Sequence, residues 1–158
     1  MDCTFRTPEG KFNLRVGAVI TDGARVLVNT FDRFDFYNVI GGRVKFGETA
    51  EAAVLREIRE ELGISAEIDR LYSINEKFFT LDGIHYHELE FLFLIKPFDI
   101  SRIDYSAISC DGADIRLVWL DTARKPDMPV FPKNLFEAVL NPSPEIKFTV
   151  EDDRALSR

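Results

Sequence analysis

The sequence is short of cysteine, histidine, positive charge and long apolar runs, and each shortage removes a class of protein. Its two cysteines, Cys3 and Cys110, stand far apart and form no C-x-x-C pair. That argues against a disulfide scaffold, a zinc ribbon or a dithiol redox motif. The two histidines, His85 and His87, have no cysteine near them in sequence and make at best half of a zinc site. The longest apolar run, "FLFLI" at 91–95, falls far short of the roughly 20 residues of a membrane span, so no membrane partner is expected. The opening "MDCTFRTPEGK" has no basic stretch leading into an apolar one, so no secretory signal is predicted and the expected location is cytoplasmic. Twenty Lys and Arg against 27 Asp and Glu leave a net charge of −7, which denies the chain a non-specific grip on a nucleic acid polymer. A phosphorylated small molecule remains a possible partner, provided that cations stand between the two negative surfaces.

What the chain does have is core material. With 158 residues, 46% of them hydrophobic and 14 of them phenylalanine, it suits a single compact domain spanning 1–158. Apolar, β-branched runs at 12–20 and 25–29 flank "TDGA", whose Asp-Gly pair signals a hairpin. A short strand is predicted at 36–40, ended by Gly41 and Gly42. Further strands are predicted for "AEIDRLYSIN" (66–75), "IHYHELEFLFLI" (84–95) and "DIRLVWL" (114–120), the first two joined by the turn "TLDG". "FPKNLFEAVL" (131–140) reads as a helix with an early proline, 99–112 is poorly patterned, and the polar end 151–158 is expected to fray. The tally is a mixed sheet with two helices, an α/β (α+β) layered fold with its core over about 12–140.

Between Thr49 and Leu62 the period changes to helical, with Gly63 as the stop. On a wheel with Glu57 at 0° and ~100° per residue, Glu60 falls near 300° and Glu61 near 40°, while Val54, Leu55, Ile58 and Leu62 fall at roughly 60° to 160°. The helix therefore buries one stripe and carries three carboxylates beside it. Like charges so close together repel. Arg56 and Arg59 could offset this as ordinary surface partners on a charge-laced helix. A hard divalent cation could do the same, since clustered carboxylates with few nitrogen or sulfur donors suit Mg²⁺ or Mn²⁺.

The full spacing decides between them. From Gly42 the chain runs through Glu48, Arg56-Glu57-Ile58, Glu60-Glu61 and Gly63-Ile64, and this resembles the Nudix box at all nine specified positions, seven of them fixed letters. At roughly one in fifteen per letter, chance supplies such a match at about 10⁻⁸ per starting position. The flanks "NLRVGAVI", "INEKFF", "HELEFLFL" and "VFPKNL" also resemble Nudix hydrolases, more weakly, and Ile40 stands where members often carry proline.

The resemblance implies an α/β/α sandwich with a mixed sheet between helices. It also implies metal-dependent hydrolysis, with Mg²⁺ or Mn²⁺, of a phosphoanhydride in a nucleotide or similar small molecule, with a homodimer possible. Within it, Glu57, Glu60 and Glu61 match the metal-binding positions, and a carbonyl of the glycine pair, at Gly41, a further ligand. Glu88 or Glu90, on one face of their strand with Tyr86, could add a ligand or a base. Arg56 is expected to hold the acids ionised and fixed. Gly42, Arg43 and Glu48 are candidates for the substrate side, Glu48 also for orienting the start of the helix. Phe78, Phe79 and Phe131 are candidates for stacking on a base or for plain core packing. A non-catalytic module that senses a nucleotide on the same fold is the competing reading.

Overall fold

The computed structural model describes residues 1–105 and 115–157; Cys110 and the end of the 99–112 segment lie outside them. Asp22 makes the first hairpin. Its carboxylate accepts the backbone N–H groups of Ala24 (3.1 Å) and Arg25 (2.8 Å), turning β2 (Gly10–Val19) into β3 (Arg25–Phe31). Strand β4 (Tyr37–Arg43) returns antiparallel along β2 and feeds α1 (Ala50–Leu62). The long hairpin β5 (Ile68–Leu81) and β6 (Ile84–Ile95) turns on Asp82 and Gly83, both with positive φ (51° and 73°), as a two-residue hairpin loop requires. β6 then lies parallel to β2, and β7 (Ile115–Asp121) pairs with the outer edge of β3.

Among the described residues nine strands form one mixed sheet, seven of them in the order β7-β3-β4-β2-β6-β5-β9, with β9 at Lys147–Ser157, while β1 (Thr4–Thr7) lies beside β2 and β8 (Val130–Phe131) beside β4. One face carries Val16, Ala18, Ile40 and Phe93 against Val54, Ile58 and Leu62 of α1, the three helix residues 0% exposed. Each such side chain contributes roughly 1.5–3 kcal/mol by leaving water. On the opposite face Leu135 and Ala138 of the short α2 (Leu135–Leu140) pack on Val19, Val39, Tyr72 and Leu92. The sheet thus lies between two helices, as expected. No helix among the described residues is long and apolar enough to cross a membrane.

Three elements differ from expectation. The N-terminal residues form β1 (Thr4–Thr7) against β2. The end of the chain does not fray but forms β9 (Lys147–Ser157), parallel to β5. Its acids alternate between buried (Glu151, Asp153) and exposed (Asp152). Glu151 accepts the Lys133 backbone N–H at 2.8 Å, and Asp153 pairs with Lys133 Nζ at 2.7 Å. The second helix begins at Leu135 rather than near 131, because Val130–Phe131 forms a short β8 beside β4 and the side chain of Asn134 reaches to Ser73 and Asn75 instead of capping the helix.

Candidate functional site

The double glycine ends β4 where α1 crosses the sheet, and both residues stand in space that no side chain could share. At Gly41 (φ 149°) a β-carbon would meet the Val16 carbonyl oxygen at 2.1 Å. At Gly42 it would meet Glu57 Oε1 at 2.4 Å. Absence of side chains here lets the α1 acids lie directly on the backbone. The helix is held in that register by Thr49, whose hydroxyl accepts the Ala52 N–H at 3.1 Å, and by left-handed Gly63, whose N–H caps the Arg59 carbonyl.

The three helix acids do not share one environment. Glu61 is buried, accepts Asn29 Nδ2 at 3.3 Å and a hydrogen bond from the Gly41 backbone N–H, and has its pKa pushed up to about 8. Burial is the main cause and the neighbouring Glu57 charge the second. Glu57 is nearly enclosed between Gly42 and Arg56. Glu60 turns outward, 43% exposed, toward Arg56 (3.0 Å) and Lys45 (3.7 Å). Glu57 and Glu61 are the enclosed acids, whereas Glu60, which shares Arg56 Nη1 with Glu57, lies at the exposed edge, as its wheel position, farthest from the apolar stripe, explains.

Arg56 joins the pieces. Its guanidinium donates to both oxygens of Glu48 (2.8 and 3.0 Å), to Glu57 (2.7 Å), to Glu60 (3.0 Å) and to the Arg43 carbonyl (3.0 Å). Glu48 also accepts the Lys45 backbone N–H (3.0 Å), and the hydrogen bonds from Arg56 hold its pKa down to about 2. Both Glu48 oxygens are thus engaged with the loop and with Arg56 of the helix.

Glu88 and Glu90 are buried in a separate cluster. Lys77 Nζ lies 3.4 Å from Glu88 and 3.1 Å from Glu90, Asn13 Nδ2 donates to Glu88 at 2.7 Å, and Asn75 Nδ2 donates to Glu90 at 3.2 Å. Arg15 feels the charge of both acids and also of Glu57 and Glu61. A cleft of about 240 Å³ runs along this face, lined by Arg15, Arg43, Lys77, Phe79 and Phe131 among others. Phe34, Phe36 and Phe131 also border an adjoining cavity of about 650 Å³. Phe78 lies on the opposite face, against His87. His85 bonds Thr80 and His87 bonds Glu76, so each imidazole already has a partner.

Sequence reasoning missed Asn13, Arg15, Asn29, Asn75 and Lys77. Alternation along β2 does put Asn13 and Arg15 on one face, but the strands beside them, β4 and β6, come from elsewhere in the sequence.

Glu57, Glu61 and the peptide oxygens of the glycine turn are hard donors of the kind that suits a hard divalent ion. Burial first and the Glu57 charge second raise the Glu61 pKa, and a cation beside it would oppose both. Among the described residues no three Asp, Glu, His or Cys side chains are grouped closely enough to hold a metal by themselves.

The NUDIX domain matches residues 11–138 of the chain. Nothing matches among curated proteins. Among solved structures, a MutT protein from Bacillus halodurans is similar at a TM-score of 0.66 and 21% identity, over 87% of this chain and 88% of its own. A MutT NUDIX hydrolase from Burkholderia pseudomallei follows at 0.61 and 22%, over 82% and 98%. An ADP-ribose pyrophosphatase from Streptococcus suis reaches 0.54 and 15%, over 88% and 98%. At these identities the likeness concerns the fold.

Proposed function

Because the chain belongs to the NUDIX family, we propose that it is a metal-dependent hydrolase of a phosphoanhydride bond in a small nucleotide, either a nucleoside diphosphate linked to another group or a nucleoside triphosphate. The observation that carries this reading is Glu57 lying against Gly42 with buried Glu61 beside it, in the register of the family's box. Glu57 and Glu61, with Glu60 and the Gly41 carbonyl, are the groups that would hold Mg²⁺ or Mn²⁺. A bound ion would neutralise phosphate charge and make the attacking water easier to deprotonate, so that it becomes a better nucleophile toward phosphorus.

The rest falls to the chain itself. Arg56 keeps Glu57 oriented and Glu48 ionised. A carboxylate among Glu57, Glu60, Glu61, Glu88 and Glu90 takes the proton of the attacking water as the new P–O bond forms. The bridging P–O bond breaks, and its electron pair leaves with the departing phosphate. Arg43 and Arg15 supply positive charge along the cleft. We also infer a cytoplasmic enzyme of small phosphorylated molecules, rather than of nucleic acid polymers or membranes, that can form a homodimer.

The test is product release from a panel of nucleoside triphosphates, ADP-ribose and UDP-sugars with Mg²⁺ or Mn²⁺. Turnover abolished by EDTA supports the reading. Binding without turnover would favour the nucleotide-sensing module.

A further inference from the structure

Arg15 is half-buried on β2, and among the described residues its guanidinium has no hydrogen-bonded or ion-paired partner. Four carboxylates, those of Glu88, Glu90, Glu57 and Glu61, attract it, yet none comes close enough to pair with it. Directly opposite, in the β2–β4 register, stands Arg43. The Arg43 Nε is buried without a hydrogen-bond partner, and its Nη1 reaches only Asp2, at 3.5 Å. Like charges directly opposed across two strands destabilise a sheet, so the pairing of two arginines calls for something negative between them. Both line the cleft of about 240 Å³.

The balance of charge in that cleft is opposite to that of the protein. Its lining carries four cations, Arg15, Arg33, Arg43 and Lys77, against two carboxylates, Glu88 and Glu90, in a chain of net charge −7. Lys77 is already bound to both of those acids, which leaves the arginines as the donors available to a ligand. A guanidinium presents a planar fork of N–H groups that matches two oxygens of one phosphate.

We propose that Arg15, with Arg43 opposite it, is the binding site for a diphosphate group, the Arg15 fork donating to two non-bridging oxygens of one phosphate. Identifying that anion as the substrate's anhydride rests on the hydrolase reading; the opposed pair of Arg15 and Arg43 does not. Arg15 then fixes the anhydride between the α1 acids and the Glu88–Lys77–Glu90 cluster, both of which act on it electrostatically.

The test is calorimetric titration of imidodiphosphate, a non-hydrolysable diphosphate, with and without Mg²⁺, into wild type, Arg15→Met and Arg15→Lys. Loss of a charge-assisted, two-pronged contact is expected to weaken binding by about tenfold or more in Arg15→Met, with Arg15→Lys in between. In wild type, imidodiphosphate is expected to protect Arg15 from phenylglyoxal, read by mass spectrometry, which decides the matter even if circular dichroism shows a misfolded variant. Absence of binding to wild type, unchanged affinity in folded Arg15→Met, or equal labelling with and without the probe overturns the proposal. Turnover that persists unchanged in Arg15→Met would remove this inference and leave the hydrolase reading standing. Probe binding lost in Arg15→Met, in a protein that turns over no nucleotide, would do the reverse.

Discussion

Glu57 fills the space that a β-carbon on Gly42 would take, its Oε1 2.4 Å from that point. The obstruction is the far end of a side chain, so Gly42→Ala is expected to fold and to lose activity by displacing the carboxylate. Gly41→Ala is different, because its β-carbon would strike the Val16 carbonyl oxygen at 2.1 Å from a positive φ. That variant is expected to lose about 2 kcal/mol or more of stability. Urea melts alongside turnover measure both; equal stability in the two variants would count against this distinction.

Arg56 donates to Glu48, Glu57, Glu60 and the Arg43 carbonyl. Arg56→Lys keeps the charge but not the fork. It is expected to destabilise the protein by about 1–3 kcal/mol and to lower kcat, because several charge-assisted bonds vanish together. Denaturant melts and steady-state kinetics check it.

The pH dependence of stability has two parts of opposite sign. Glu48 has a folded pKa of about 2 against an ordinary 4.5, so its contribution is complete above pH 4.5 and is lost as pH falls toward 2. Glu61 has a folded pKa raised from 4.5 to about 8. Its contribution is complete below pH 4.5 and lost as pH rises through 8. Protein treated with EDTA is therefore expected to melt lower at pH 9 than at pH 6, and Glu61→Gln to flatten that slope. Added Mg²⁺ is expected to raise Tm most at the alkaline end.

Glu60→Gln and Glu61→Gln are each expected to leave the far-ultraviolet circular dichroism unchanged while sharply reducing turnover. Full activity in both variants would remove the carboxylates from the chemistry.

Lys77 sits between two buried carboxylates. Lys77→Met is expected to cost about 3–5 kcal/mol, since it leaves both charges unpaired. Adding Glu88→Gln and Glu90→Gln is expected to recover most of that loss. Chemical denaturation of the single and triple variants tests the coupling.

The box helix was legible because its information is local: apolar stripe, acids and terminal glycine follow one another within one element. The Glu57–Gly42 approach was legible only as a spacing, and the outward turn of Glu60 was already present in its wheel angle. Strand β9 was not readable, since "EDDR" alternates buried and exposed positions entirely among polar residues and mimics a frayed end. The Asn13–Glu88–Lys77–Glu90 cluster was equally hidden, because it depends on β2 meeting β6 in parallel register, 75 residues apart along the chain for Asn13 and Glu88.

The fork of Arg56 ties the glycine turn, the 45–48 loop and α1 into one block, whereas the aromatic residues Phe34 and Phe36 hang on the β3–β4 connection, which that fork does not touch. Engineers who wish to retarget the molecule therefore have two separable handles. Residues 32–36, which carry the stacked Phe34 and Phe36 at the cavity rim, can be exchanged without breaking the Arg56 hydrogen bonds, while the acid-bearing block is kept as a unit.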